Sequence, residues 1–162
     1  MELPKRKPNR LKNFDYSQPN AYFITICTRN KEALFWEGVG ASIARPENPV
    51  LSHYGEIAEE AILKISTIYP AVTVDNYAIM PNHIHLLLQI HSDDSGRAML
   101  APTISKIVQQ MKGYVTKKIG TSIWQKLFHD HVIRDEAGYL KIWSYIEGNP
   151  SKWEEDCFYV KE

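Results

Sequence analysis

Residues 83–91 of the chain, HIHLLLQIH, alternate between two kinds of side chain with strict regularity. The even positions from 84 to 90 are all apolar, whereas four of the five odd positions carry polar side chains. A repeat of two residues is that of a β-strand with one face on a hydrophobic core. The stretch therefore predicts a strand whose even-numbered side chains are buried, with His83 and His85 exposed on the opposite face.

The segments on either side of this strand complete an α+β pattern. The order of the predicted elements is strand, helix, strand, strand, helix, strand and helix. That order predicts a ferredoxin-like fold, an antiparallel sheet with helices on one face. The predicted strands are 22–28, 71–79, 83–91 and 127–134, and the predicted helices are 53–69, 103–119 and a last one from Asp135 to Gly148.

Length and composition fit one ordinary globular domain. The chain has 162 residues, and its 19 basic and 19 acidic side chains give a net charge of zero. We expect a basic N-terminal arm over 1–20, a folded domain over 21–150 and a C-terminal tail over 151–162. The two cysteines form no CxxC pattern, and no apolar run reaches the ~18 residues of a membrane span. A cytoplasmic location is therefore expected.

Basic residues cluster in two stretches despite the neutral total. One is the first dozen residues, and the other has no acidic residue between Thr103 and Phe128. Such clusters can form a phosphate-binding surface, although they are also typical of plain solvated faces. The second cluster consists of Lys106, Lys112, Lys117, Lys118 and Lys126.

The histidine pair on the strand at 83–91 predicts a metal site. Residues i and i+2 of a strand project on the same side, so His83 and His85 are close enough to share one ion. A third ligand has to come from another element of the fold. A histidine-triad nucleotide hydrolase would need one more histidine at position 87, which is Leu87. A second HxH spacing, His129–Asp130–His131, could supply a further contact or belong to a sheet edge.

Tyr114 is the candidate nucleophile. It lies on the flank of the apolar stripe of the helix at 103–119, with lysines around it. Gly113 precedes it inside the helix, where glycine costs ~1 kcal/mol relative to alanine, and this suggests close approach by a backbone or a ligand. A tyrosine at such a border is also typical of the edge of a core. Tyr139 and Tyr145 of the last helix are the next candidates, although their spacing suits core positions.

Three motifs together resemble the single-tyrosine HUH transposases of the insertion-sequence-200-like group, which includes the REP-associated tyrosine transposases. The resemblance covers roughly residues 14–157, and YFITICT at 22–28 fits the first strand of that group. The motifs are YAIMPNHIHLLL at 77–88, WQKLFHDHVIRD at 124–135, and Tyr145–Ile146 followed by NPSKW at 149–153.

The resemblance implies an enzyme that cuts and rejoins single-stranded, hairpin-containing DNA through a 5′-phosphotyrosine intermediate. It implies Mg²⁺ or Mn²⁺ held by His83 and His85, with Tyr114 as the nucleophile. It also implies hairpin recognition and a possible homodimer. The group often has Gln or Asn one helical turn after the tyrosine as a third metal ligand. Lys118 stands at that position here and leaves the third ligand unassigned.

The expected DNA contacts are the basic residues Lys106, Lys117, Lys118 and Arg134. Strand transfer through phosphotyrosine conserves bond energy, which agrees with the absence of a GxxxxGK[ST] phosphate loop. Two other functions stay open at this stage. One is a domesticated, non-catalytic hairpin-binding protein on the same fold, and the other is a small metal-dependent hydrolase unrelated to DNA.

Overall fold

The computed structural model describes residues 20–38, 49–91 and 102–159. The predicted basic arm therefore lies outside the described residues, apart from Asn20. Two short 3-10 helices follow β1 and α4, at Arg29–Lys31 and Pro150–Glu155. The main elements are β1 (Ala21–Cys27), α1 (His53–Leu63), α2 (Ile65–Ile68), β2 (Val72–Ile79), β3 (His83–Ile90), α3 (Ile104–Ile119), β4 (His129–Ile133) and α4 (Glu136–Gly148).

The strands form one antiparallel sheet in the order β2-β3-β1-β4. β3 and β1 are the two central strands, and Cys27 at the end of β1 pairs with His83 at the start of β3. The predicted α+β fold with an antiparallel sheet is confirmed. β3, which carries the two histidines, is thus paired with a strand on each side, and this pairing holds its side chains in fixed positions.

Helix ends follow local chemistry that is visible in the sequence. Ser52 and Thr103 accept hydrogen bonds from backbone N–H groups in the first turns of α1 and α3. Gly120 ends α3 in the left-handed region at φ 92°. The single helix predicted over 53–69 is divided at Lys64 into α1 and the one-turn α2.

α1 and α3 cover the face of the sheet that carries the even-numbered side chains of β3. Tyr77 of β2 pairs with Leu86 and so shares its face, and its hydroxyl donates to Glu59 of α1 at 2.8 Å. α3 then packs on α1, where Tyr114 hydrogen-bonds Glu60. The two longest predicted helices therefore share one face, as expected.

α4 lies on the opposite face, over β2 and β3. The Tyr139 hydroxyl donates to the Asp75 carboxylate of β2 at 2.7 Å, and the ring of Tyr145 lies 5.4 Å from that of His85. His83 and His85 are consequently 0% and 2% exposed, so the prediction that they are exposed was wrong. Alternation gave the correct face, but it could not show that the last helix and the residues after it cover that face.

None of the helices in the described part of the chain is both long enough and apolar enough to cross a membrane.

Candidate functional site

Hydrogen bonds fix the ring of His83 and its tautomer. The Asn82 side chain donates through Nδ2 to two backbone carbonyls, those of Lys31 at 3.2 Å and Phe158 at 2.8 Å. Its Oδ1 must therefore face Nδ1 of His83, 2.8 Å away. An amide oxygen only accepts, so Nδ1 of His83 carries the proton and Nε2 presents a lone pair.

The second histidine faces the first across a short gap. Nε2 of His83 and Nε2 of His85 are 3.1 Å apart, and Nδ1 of His85 is 2.9 Å from the Thr25 hydroxyl. Because that hydroxyl can donate or accept, His85 can direct either a proton or a lone pair toward His83. Adjacent ligands of an octahedral ion with ~2.1 Å bonds lie roughly 3 Å apart, so the two nitrogens fit one shared ion.

Asp156 supplies the third potential ligand. Its Oδ2 lies 3.6 Å from Nε2 of His83, and both side chains are fully buried. Oδ1 of Asp156 accepts from the Phe158 N–H at 2.8 Å, but Oδ2 is a buried atom without a hydrogen-bond partner. A buried carboxylate oxygen that is left unpaired beside two imidazoles is a position where a cation fits. His83, His85 and Asp156 therefore form a group that could hold a metal ion.

Burial keeps both imidazoles neutral at physiological pH. It lowers the pKa of His83 to about 2, with a smaller effect from His85, and it lowers the pKa of His85 to about 4. Burial also raises the pKa of the Asp156 carboxyl. Neutral imidazole is the form that binds metals, so protons do not compete for these nitrogens near pH 7.

Tyr145 is the tyrosine nearest to this group in the described contacts. Its ring lies 5.4 Å from the ring of His85 and 6.0 Å from that of Phe23, yet the residue is 44% exposed. Burial and then the charge of Asp156 raise the pKa of its phenol, whereas the neighbouring Asn149 side chain lowers it. Asn149 stands one helical turn after Tyr145 and is only 5% exposed.

The C-terminal segment covers the histidines from one side and leaves an opening on the other. Phe158 lies 4.5 Å from the ring of His83, and Trp153 lies 6.0 Å from it, between ring centroids. A cavity of about 310 Å³ opens beside His85, and Tyr145 and Lys141 lie at its border with Phe23. The cavity thus brings His85 and Tyr145 to one opening of the surface.

Comparison with known proteins shows what the chain is similar to in sequence and in fold. The chain is 33% identical to an uncharacterized Haemophilus influenzae protein over 96% of its own length and 93% of that protein. It is 27% identical to a second Haemophilus influenzae protein, described as a "Putative REP-associated tyrosine transposase", over 85% of this chain and 74% of that one. A solved REP-associated tyrosine transposase bound to a REP hairpin has the same fold, with a TM-score of 0.63 and 21% identity, covering 89% of this chain and 74% of that one.

The chain resembles the REP-associated tyrosine transposases in sequence and shares the fold of a solved one. No protein-family model matches the sequence. This similarity agrees with the motifs found in the sequence and with the four-stranded antiparallel sheet. The residues that do the chemistry in this chain are identified from its own geometry.

Tyr114 is not brought together with the histidines. Its hydroxyl donates to Glu60 at 2.5 Å and accepts from Nζ of Lys64 at 2.8 Å, so it is held by α1. That contact lies among the helices on the even-numbered face of β3, whereas His83 and His85 occupy the other face. The expectation that Tyr114 stands at a cleft beside the histidines is therefore not met.

The predicted DNA-contacting residues occupy different surroundings. Lys117 lines an open groove beside α3, and Lys118 lies over the ring of Tyr114 with Nζ 5.6 Å from its centroid. Lys106 and Arg134 are exposed. The exposed His129 and His131 lie on β4, which pairs with β1 but not with β3.

Three residues of the candidate site were not assigned to it from the sequence: Tyr145, which ranked behind Tyr114, and Asn149 and Asp156, which were not considered. Tyr145 of α4 and Asn149 at the end of that helix are four residues apart, which is the tyrosine-then-amide spacing sought after Tyr114 and not found there. The sequence alone contains that signal. Asp156 carries no comparable signal, because it follows an irregular segment and reaches His83 only through the tertiary fold.

Proposed function

We propose that this protein is a metal-dependent transesterase that cuts and rejoins hairpin-containing single-stranded DNA, with Tyr145 rather than Tyr114 as its nucleophile. One observation carries the choice of residue: the ring of Tyr145 lies 5.4 Å from that of His85, in a half-open position. Similarity to a putative REP-associated tyrosine transposase supports the reaction type, and the transposase that was solved bound to a REP hairpin supports a hairpin substrate.

In the proposed reaction the Tyr145 oxygen attacks a phosphorus of the DNA backbone. The bond from phosphorus to the tyrosine oxygen forms as the bond to the 3′ oxygen breaks, which leaves a 5′-phosphotyrosine and a free 3′ hydroxyl. Attack by a 3′ hydroxyl reverses the step and restores the phosphodiester. The phosphodiester bond energy is retained throughout, so no nucleotide cofactor is needed.

His83, His85 and Asp156 are the residues that would hold the divalent ion, Mg²⁺ or Mn²⁺. Bound there, the ion would polarise the phosphodiester as a Lewis acid and stabilise the leaving oxygen. Two neutral imidazoles and one carboxylate leave coordination positions open for water and for a phosphate oxygen. The unpaired Oδ2 of Asp156 is the feature of this chain that supports the assignment.

Asn149 is proposed as a positioning residue for the phenol and as a further oxygen donor to the ion. Its Nδ2 is a buried atom without a partner, while its side chain lowers the pKa of Tyr145. Rotation of the amide can exchange the nitrogen and the oxygen. The group can therefore face either a phenolate or a cation.

All of these residues come from one chain, so the chemistry as proposed does not require a second copy. A homodimer remains a prediction, and light scattering on the purified protein would test it. A cytoplasmic location, where the DNA substrate lies, is part of the same proposal.

The proposal is tested by incubating the protein with 5′- and 3′-labelled hairpin DNA and Mn²⁺ and separating the products on a denaturing gel. We expect a covalent adduct with the wild type and with Tyr114→Phe, and at least a hundredfold less adduct with Tyr145→Phe. Phenylalanine keeps the ring contacts with His85 and removes only the attacking oxygen. Binding of the hairpin without an adduct in the wild type would instead favour a non-catalytic hairpin-binding protein.

A further inference from the structure

A basic groove runs between α3 and the segment that follows it, away from the histidines. Residues 122–126 form one wall and the middle of α3 forms the other, and the groove has a volume of about 640 Å³. Two hydrogen bonds from side chains to backbone carbonyls hold the walls together: Nζ of Lys112 donates to the Gln125 carbonyl at 2.8 Å, and the Trp124 indole donates to the Lys112 carbonyl at 3.2 Å. The groove is therefore a built feature of the fold rather than a gap between loose side chains.

The charge of the groove has one sign. Its lining includes four cationic residues and no carboxylate. Among the residues that the structure describes, the three exposed cations Arg29, Lys117 and Lys126 form no ion pair with an acidic side chain. In a chain with equal numbers of acidic and basic residues, three unneutralised cations around one groove favour an anionic ligand.

Gly113 is one of the residues that line this groove. It is an interior residue of the sixteen-residue α3, where glycine lowers helix stability relative to alanine. A Cβ at this position would meet no atom within 4 Å, so packing within the described chain does not require glycine. The absent side chain leaves the helix backbone open to a ligand that enters the groove.

The groove and the histidine site meet at the same end of β1. The Cys27 carbonyl accepts from the Gln125 N–H at 2.9 Å, while Cys27 itself pairs with His83 across the sheet. The Arg29 N–H donates to the Ile123 carbonyl at 2.8 Å, which ties the residues after β1 to the wall of the groove. A long ligand that is bound in the groove could therefore continue toward the histidines.

We propose that this groove binds the phosphate backbone of the paired stem of the DNA hairpin, and that it thereby positions the adjoining single strand for cleavage. The inference rests on the proposed function, which it deepens by assigning a surface to the stem. An open groove with cations along its length suits an extended polyanion rather than a small phosphate compound. Backbone contacts of this kind set the register of a nucleic acid without reading its sequence.

The test compares two double variants that remove the same amount of charge. Lys117→Gln/Lys126→Gln alters the groove, and Lys64→Gln/Lys152→Gln is the matched control, because neither of its two lysines lines the groove. Binding to a fluorescent hairpin is measured by anisotropy over a range of KCl concentrations. We expect the groove variant to bind at least tenfold more weakly and to lower the log–log salt slope by about 1.8, at ~0.9 per lost phosphate contact on a duplex. The control should stay within twofold of the wild type.

Gly113→Ala provides a second test, because it separates an effect on hairpin binding from an effect on the stability of the protein. Alanine meets no atom in the protein, so the variant should melt at the same or a higher temperature than the wild type while binding the hairpin several-fold more weakly. Unchanged hairpin binding by this variant and by the groove variant would overturn the proposal. So would an equal loss in the groove and control variants, which would show a general effect of charge.

An unpaired oligonucleotide of the same base composition separates the stem from the single strand. A loss of affinity that is confined to the hairpin supports the stem, and an equal loss on both ligands contradicts it. Because binding is measured without Mn²⁺, the groove can be confirmed even if no covalent adduct forms. Conversely, the groove variant could bind the hairpin as well as the wild type and form as much covalent adduct. That result would support the proposed function and show that the groove does not bind the stem.

Discussion

Each face of the sheet carries a tyrosine on a helix, and the two tyrosines differ in what surrounds the phenol. Tyr114 meets the charged pair of Lys64 and Glu60 among the helices of one face. Tyr145, on the other face, lies beside His85 and one turn from Asn149. Lysines near Tyr114 in the sequence suggested that its phenol is activated for attack. Phosphodiester cleavage also needs a group that stabilises the leaving oxygen. Only the second face has such a group among the described residues.

The largest expected difference between the two faces is in metal binding, which substitutions on the histidine face should weaken. Asp156→Asn keeps the shape of the side chain and removes its charge, so Mn²⁺ should bind roughly tenfold more weakly or worse. His85→Gln should weaken binding by at least as much, because it removes a ligand nitrogen. Isothermal titration calorimetry measures both, with the exposed His53→Gln as control. If Asp156→Asn binds Mn²⁺ with wild-type affinity, Asp156 is not a ligand of the ion.

An intermediate effect should appear in the pH dependence of stability. The pKa values of His83 and His85 are lowered in the fold to about 2 and about 4, against an ordinary value near 6.5. The unfolded chain therefore binds up to two more protons than the folded chain as the pH falls from 6.5 to 4. By linkage, the free energy of unfolding should decrease over that range and be greatest above pH 6.5.

Urea denaturation without metal at pH 7 and pH 5 tests this expectation. The wild type and His53→Gln should lose more stability between the two pH values than His83→Gln/His85→Gln. Asp156 is retained in all three proteins, because its raised carboxyl pKa has the opposite sign and would obscure the difference. Equal losses in all three proteins would show that the buried imidazoles are protonated as readily in the fold as in the unfolded chain.

The smallest expected effect is on the other face. Tyr114→Phe removes the hydroxyl that bridges Glu60 and Lys64 but keeps the ring between α1 and α3. Because both partners are on the surface, the melting temperature should fall by only a few degrees, and by less at high salt. Differential scanning calorimetry at low and high KCl measures the change. A collapse of stability would mean that Tyr114 has a larger structural role than its contacts indicate.

The fold followed closely from the sequence because its signals are local. Alternation over 83–91 indicated the two faces of β3, and helical spacing of apolar residues located α1 and α3. What the sequence did not reveal was the cover on the histidines. The burial of His83 and His85 depends on where α4 packs on the sheet. That packing is set by tertiary contacts and not by the local sequence pattern.

The candidate site was predicted only in part for the same reason. The histidine pair is a local feature of one strand, whereas its partners come from the last helix and the segment after it. Tyr145 looked like a core residue because its neighbours Ile142 and Ile146 are apolar, yet it is 44% exposed at the border of the cavity. In the sequence, Gly113 suggests a close approach that favours the neighbouring tyrosine. In the structure no atom of the described chain lies within 4 Å of the position of its missing side chain, and the residue lines the basic groove instead.

The central claim is that the tyrosine of the histidine face forms the bond to DNA. It is tested most directly by trapping the wild-type adduct with hairpin DNA and Mn²⁺, digesting the protein and the DNA, and locating the nucleotide-modified peptide by tandem mass spectrometry. We predict that the modification is on Tyr145, in the peptide that follows Lys141. A modification on Tyr114, in the peptide that follows Lys112, would contradict the account.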